Sequence, residues 1–370
     1  MDVGYDEMSV EALEPNQNLN SLELRYYRGV KYPSWLSLLK NLVSLKLASM
    51  KNIQDGLPLN QFPSLKTLWL IDIPSLEYVS LVSEGFKLPP LESLSIFGCP
   101  KLKGWWNRRS DSIEEDEDAA DNYSEISTTT AKNHSLPSFT HLSDLQISEC
   151  PKLSSMPSFP YLEELNLQNS NLRPLERTIS MGMISTASQE NPTAAAVAES
   201  TSSAPYSSST LAASFTSLSK LKSLSIVMIE GSDGPVLQSI QQLTALEEFW
   251  LYNYSGDGME LEWQGLTKLQ YLTLIDHPKL ASLPVGLQQA TSLRDLEISS
   301  CPSLTTLPEW ICELGQSLQI WNCPNLTSLP ALTSLKTLGI WGCPILVESC
   351  KSQDWLAHIE NLGGDLAPPK

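Results

Sequence analysis

The sequence predicts an α/β solenoid, a horseshoe with a parallel β-sheet on its concave side and irregular or short-helical segments on its convex side. Three observations predict it. A short phrase, L-x-x-L-x-[L/I], returns along the whole chain at nearly constant spacing. Several copies run on into x-x-C-P-x-L, as in Leu91 to Leu102, Leu293 to Leu304 and Leu335 to Leu346. The stretches between copies carry further leucines among prolines, which favour turning backbone over long helix. Self-similarity at a fixed period of this kind is the signature of a stacked repeat array.

Taken in order, the phrase begins at Leu19, Leu42, Leu65, Leu91, Leu142, Leu162, Leu221, Leu246, Leu269, Leu293, Gly315 and Leu335. The intervals are 23, 23, 26, 51, 20, 59, 25, 23, 24, 22 and 20 residues. Nine of the eleven match the period of leucine-rich repeats. About 12 repeats are therefore expected over residues 1–350. Each supplies one strand, and side chains alternate across a strand. In the copy that starts at Leu269, Leu272 and Leu274 are expected to point inward, and Tyr271 and Thr273 outward. One such strand cannot bury its apolar face alone; stacked neighbours make a continuous core.

Two intervals are too long and each holds an insertion. Residues 104–135 contain Asp111, Glu114, Glu115, Asp116, Glu117, Asp118 and Asp121, and like charges at that density predict a disordered acidic segment. Residues 178–214 are rich in Ser, Thr and Ala with little apolar bulk, and predict a second disordered segment. Residues 1–18 show no cap and read as the tail of an earlier outer segment, so the array is expected to begin part-way through. At the other end, residues 351–370 predict a capping helix and tail. Trp355, Leu356, Ile359 and Leu362 lie at helical spacing, and Gly363 and Gly364 end it.

Composition narrows function. The formal net charge is -18, which disfavours nucleic acid and anionic membrane surfaces, since both are bound through Lys and Arg. No apolar run approaches the ~20 residues of a spanning helix. Residues 1–15 lack the basic start and apolar centre of a secretory signal, so the expected location is cytoplasmic or nucleocytoplasmic. Of seven cysteines, Cys99, Cys150, Cys301, Cys323 and Cys343 occupy one repeat position. They predict a buried ladder of small apolar thiols rather than a disulfide framework.

No phosphate loop, dinucleotide turn, nucleophile elbow or zinc helix is present in the sequence. His134, His141, His277 and His358 lie in unrelated places, with His277 standing where the ladder has Cys. The chain is therefore not expected to be an enzyme, and no metal or cofactor is expected. What remains is surface. The outward strand positions contribute Trp69, Phe97, Trp250, Tyr252, Tyr271, Ile275, Trp321 and Trp341. Core packing does not account for rings there. Exposed Trp and Tyr mark protein interfaces, so these eight residues are the expected protein-binding surface. Trp321 and Trp341 are expected side by side, with Tyr252 and Ile275 extending their column across Ser299. Trp35, Trp310 and Trp355 fall on outer segments or the cap and are expected in the core.

Four segments carry a family resemblance. Val10 to Leu19 includes Leu13-Glu14-Pro15-Asn16-Gln17-Asn18-Leu19, and Gly29-Val30-Lys31-Tyr32-Pro33-Ser34-Trp35 follows. Then comes the Cys-Pro ladder, and last Asp354-Trp355 with His358-Ile359. In this order they resemble the leucine-rich repeats of plant intracellular immune receptors of the nucleotide-binding (NB-ARC) class with a coiled-coil amino terminus. The resemblance implies a protein-recognition domain in plant defence. Its implied partners are pathogen effectors, guarded host proteins and the NB-ARC module. These residues hold neither that module nor the coiled coil, so a fragment, a truncated product or a repeat-only relative is expected. The alternative is a repeat scaffold or substrate adaptor unrelated to immunity. A secreted polygalacturonase inhibitor would show N-x-L-x-G-x-[IL]-P repeats and cap cysteines, which this chain lacks.

Overall fold

The computed structural model describes residues 3–82, 87–108, 138–179, 218–227, 236–254 and 263–367. They group into two compact units, Met1–Asn171 with Ser225–Ile229, and Leu172–Leu224 with Glu230–Lys370.

In the first unit, β1 (Ser21–Arg25), β2 (Ser44–Ala48), β3 (Thr67–Ile71), β4 (Tyr78–Val82), β5 (Ser93–Phe97), β6 (Gly104–Arg108), β7 (Asp144–Ser148) and β8 (Glu164–Gln168) follow in order. β1, β2, β3, β5, β7 and β8 pair in parallel, neighbour to neighbour. The second unit holds β10 (Glu248–Tyr252), β11 (Tyr271–Ile275), β12 (Asp295–Ser299), β13 (Ser317–Trp321), β14 (Thr337–Trp341) and β15 (Asn361–Gly364), again parallel and in register. The strand between these groups, β9, is Ser223–Val227.

Most strands of β2–β14 share one pattern. Their second and fourth residues enter the core, as Leu296 and Ile298 do, and are essentially inaccessible. The residue after the strand then turns left-handed. Ser49, Asp72, Gly98, Glu149 and Asn169 do so in the first unit, and Asn253, Asp276, Ser300, Asn322 and Gly342 in the second, with φ between 46° and 65°. Asn, Asp and Gly tolerate that conformation best, and they fill most of these places. The turn swings the chain off the sheet and lets its N–H donate to the last strand carbonyl of the next repeat, as Asn322 does to Trp341 at 2.8 Å.

The following residue is the ladder. Cys99, Cys150, Cys301, Cys323 and Cys343 are buried free thiols, and each donates to the carbonyl two residues back. Beyond the ladder, outer segments return as single turns of 3-10 helix such as Ser34–Leu38, Leu59–Gln61, Val285–Gln289 and Glu309–Glu313. A proline precedes each (Pro33, Pro58, Pro284 and Pro308), where its fixed φ suits the turn and its missing N–H costs nothing. The expected irregular, short-helical return segments are thus present.

Four expectations need correction. The acidic insertion was expected to start at residue 104, yet Gly104–Arg108 forms β6, which pairs with β4 in a separate two-stranded parallel sheet. Trp105 is buried there, edge-on to Phe139 and Phe159 at 5.5 and 5.4 Å, with its indole N–H donating to the Ser155 carbonyl. A large aromatic with a satisfied N–H belongs in a core. Residues 109–135 lie outside the described residues. The second insertion, expected from 178, begins later. Residues 173–179 are helical, and Thr178 and Ile179 are buried; residues 180–214 are outside the described residues.

The expected capping helix is a 3-10 turn, Asp354–His358, followed by strand β15. Leu362 stands level with Leu338 of β14, so the apolar residue read as a helix face belongs to one more strand. Trp310, expected in the core beside Trp35 and Trp355, is only half-buried, whereas the other two are buried.

Residues Val3–Glu11 form a helix that docks on the Gly29–Trp35 segment. The Glu7 carboxylate accepts from the Val30 N–H, Glu11 accepts from both the N–H and the hydroxyl of Ser34, and the Trp35 indole donates to the Val10 carbonyl. Gly29 is required because a Cβ there would collide with the Tyr27 ring.

Candidate functional site

The outward strand residues form three columns, at the first, third and fifth strand positions. Register places the expected residues directly. In the first unit Trp69 holds a third position, and Ile71 and Phe97 are adjacent at the fifth. In the second unit Trp250 holds a third position. Tyr252, Ile275, Ser299, Trp321 and Trp341 then follow one another at the fifth. All the expected aromatic residues keep accessible surface, and Tyr271 is 44% exposed.

Trp321 and Trp341 are stacked, centroids 3.7 Å apart and planes within 6°. Their strands lie one spacing apart, and parallel register gives both indoles the same departure point. Glycine makes room. A Cβ on Gly339 would stand 2.3 Å from the Trp341 ring, and one on Gly363 3.3 Å away. The indole of Trp341 therefore lies across two bare backbones, with one edge on the sheet.

The third-position tryptophans stand beside buried polar residues. Ser95 and Thr273 face outward by parity, yet they are only 3% and 7% exposed. Each pairs in register with an indole, Ser95 with Trp69 and Thr273 with Trp250, the largest group beside it. Thr273 was expected to point outward; it faces that way by parity but is buried. Trp69 and Trp250 are half-buried, as are the fifth-position residues Tyr252, Ile275, Trp321 and Trp341.

Charge separates the two units. In the first, Lys46 and Arg25 both reach the Glu23 carboxylate, at 3.1 and 2.5 Å. In the second, Glu248, Asp295 and Glu297 occupy outward positions, with no Lys or Arg at any strand position of β10–β15. Burial raises the Asp295 carboxyl above the ordinary range, partly offset by Arg294. Burial, and secondarily the Glu297 charge, raises the Tyr252 hydroxyl.

Sequence reasoning missed one concavity. In the first unit the left-handed turn residues and the prolines after the ladder line a hollow of about 560 Å³, with Pro74, Pro100 and Pro151 beside Asp72, Glu149 and Lys51. The recurrent Cys-Pro phrase was its signal, since residues at one repeat position stack. Among the described residues, no group of three or more His, Cys, Asp or Glu is placed to hold a metal. His277 is 1% exposed and serves the ladder, while His141 and His358 are exposed; His134 lies outside the described residues. Among the described residues, no helix is long and apolar enough to cross a membrane.

A five-residue parallel strand, a left-handed turn, a buried ladder residue and a short return, repeated in register, define a leucine-rich repeat protein. Residues 3–73 match the family described as R13L1/DRL21 LRRs. The repeats are similar to those of plant disease-resistance proteins. The chain is 34% identical over 103 residues to the putative disease resistance protein RGA1 of Solanum bulbocastanum, covering 27% of this chain and 10% of that protein. It is 35% identical over 106 residues to disease resistance protein RGA2 of the same species, covering 26% and 11%. The match thus spans about a tenth of the length of these relatives. Among solved structures, an internalin (inlF) from Listeria monocytogenes aligns over 99% of this chain and 95% of its own, at 14% identity and a TM-score of 0.35.

Proposed function

We propose that the chain is a protein-recognition module of a plant immune receptor, acting in the cytoplasm or nucleocytoplasm. Its partners in this reading are a pathogen effector or guarded host protein on one side and an NB-ARC module on the other. One observation carries the reading: the accessible fifth-position column Tyr252, Ile275, Trp321 and Trp341, with the exposed Tyr271 on the same face at the first strand position. Apolar rings left on an open sheet face, where no core needs them, are the groups that dominate protein contacts. The similarity to disease-resistance proteins supports the choice of partners. The work assigned to this face is binding, not catalysis.

The test is pull-down of individually expressed NB-ARC modules and candidate effectors by the full chain and by its Trp321→Ala/Trp341→Ala variant. A captured partner should be lost by the variant while far-UV circular dichroism is retained. The stacked pair contributes about 0.5–1.5 kcal/mol beyond its buried area, too little to unfold the array. Undiminished capture by the folded variant would remove this surface from the reading, and an unfolded variant would make the two rings core residues.

A further inference from the structure

Within the fifth-position column of the second unit, one place is empty of bulk. Ser299 stands between Ile275 and Trp321 in register. Strands are ~4.8 Å apart, so the two flanking side chains rise from the sheet roughly 10 Å from each other. Trp321 gives one indole face to Trp341 on β14, which leaves its other face directed toward β12, the strand that carries Ser299 and Glu297. The result is a notch with an aromatic wall, an aliphatic wall and a serine floor, wide enough for one flat group.

The charged residues on the strands around it are acidic. Glu297 lies two residues before Ser299 on the same strand and the same face, roughly 7 Å along it. Among the described residues Glu297 forms no ion pair. Asp295 on the same strand and the turn residue Asp276 add negative charge, and Arg294, which precedes β12, acts on Asp295. A cation that is flat, and so able to stack on indole and to pair edgewise with a carboxylate, fits all three features. Guanidinium is such a group; ammonium is not flat.

We propose that this notch receives an arginine side chain of a protein partner, its guanidinium stacked on Trp321 and paired with Glu297. This rests on the reading of the same face as a protein-binding surface, and gives that surface a chemical preference for a basic partner.

Fluorescence anisotropy of a labelled Gly-Arg-Gly-Arg-Gly peptide on the full chain tests it, with lysine and citrulline counterparts. The arginine peptide should bind, the lysine peptide several-fold more weakly, and the citrulline peptide not measurably. Ser299→Leu fills the notch and should weaken the arginine peptide about tenfold or more, the scale of one lost cation–aromatic contact. Glu297→Gln, a near-isosteric change on an accessible position, should lower affinity similarly and remains informative if Ser299→Leu fails to fold. The proposal is overturned if the wild type does not bind at millimolar peptide, if arginine and lysine peptides bind alike, or if either folded variant keeps wild-type affinity. Should any of these occur while Trp321→Ala/Trp341→Ala still abolishes capture of a protein partner, the notch is wrong and the recognition surface stands. Should capture survive as well, both are wrong.

Discussion

At the scale of single residues, the ladder shows why a histidine stands where cysteine is the rule. Three ladder N–H groups donate to the side chain of the next ladder residue. Cys323 donates to the Cys343 sulfur at 3.3 Å, Cys150 to the Ser170 hydroxyl at 3.2 Å, and Tyr254 to Nδ1 of His277 at 3.2 Å. The slot asks for a compact acceptor that can also donate to a carbonyl. His277 meets both demands as the Nε2–H tautomer, with Nε2 3.0 Å from the Leu251 carbonyl. Burial holds its pKa below the ordinary 6.5, against the raising effect of its two backbone hydrogen bonds. The unfolded chain therefore binds the proton first as pH falls through about 6.5, and stability decreases over that window, down to the depressed folded pKa. His277→Cys should fold and should lose this slope, read as urea midpoints between pH 7.5 and 5.5. An unchanged pH dependence would place the titration elsewhere.

At the scale of the element, β14 and β15 show how glycine arranges aromatic side chains. Trp341 rests across Gly339 and Gly363, and that placement presents its face to Trp321. Gly339→Ala puts a methyl group into the ring and should tilt Trp341 off its partner. The expected outcome is loss of the near-UV circular dichroism band of the stacked pair, with the far-UV spectrum kept. Retention of the near-UV band would mean that the stack does not depend on the bare backbone. Gly98 and Gly342 serve differently, since both adopt φ of +65° in the left-handed turn.

At this scale also, much was legible in sequence and some was not. Leu296, Ile298, Leu318 and Ile320 were readable as core because alternation in a strand is fixed by backbone geometry. The column of Tyr252, Ile275, Trp321 and Trp341 followed from the same rule. Strand β6 was not legible, because Gly104–Arg108 carries no repeat phrase and abuts an acidic run. Nor was the burial of Thr273 and Ser95, since parity says which way a side chain points and not how much of it the neighbours leave accessible.

At the scale of the whole molecule, the formal charge of -18 is the dominant global property. Like charges repel over a distance set by salt, with a Debye length of about 30 Å at 0.01 M and about 8 Å at 0.15 M. Thermal stability should therefore rise when salt is increased between these concentrations, a direction opposite to that of proteins held by surface ion pairs. The described surface pairs, such as Lys66–Glu92 at 2.8 Å, are exposed and contribute little against this. A midpoint independent of salt would show that the charge is locally neutralised. The same screening should weaken capture of any basic partner.

The sequence by itself determined the repeat period, the inward apolar positions, the ladder and the identity of the outward column. All of these follow from local geometry repeated along the chain, so a one-dimensional pattern suffices. Only the tertiary structure decided which outward residues remain available. The stacking of Trp321 on Trp341, the burial of Thr273 and the glycine bed under Trp341 depend on the volumes of side chains from neighbouring repeats, which meet only after the strands pair.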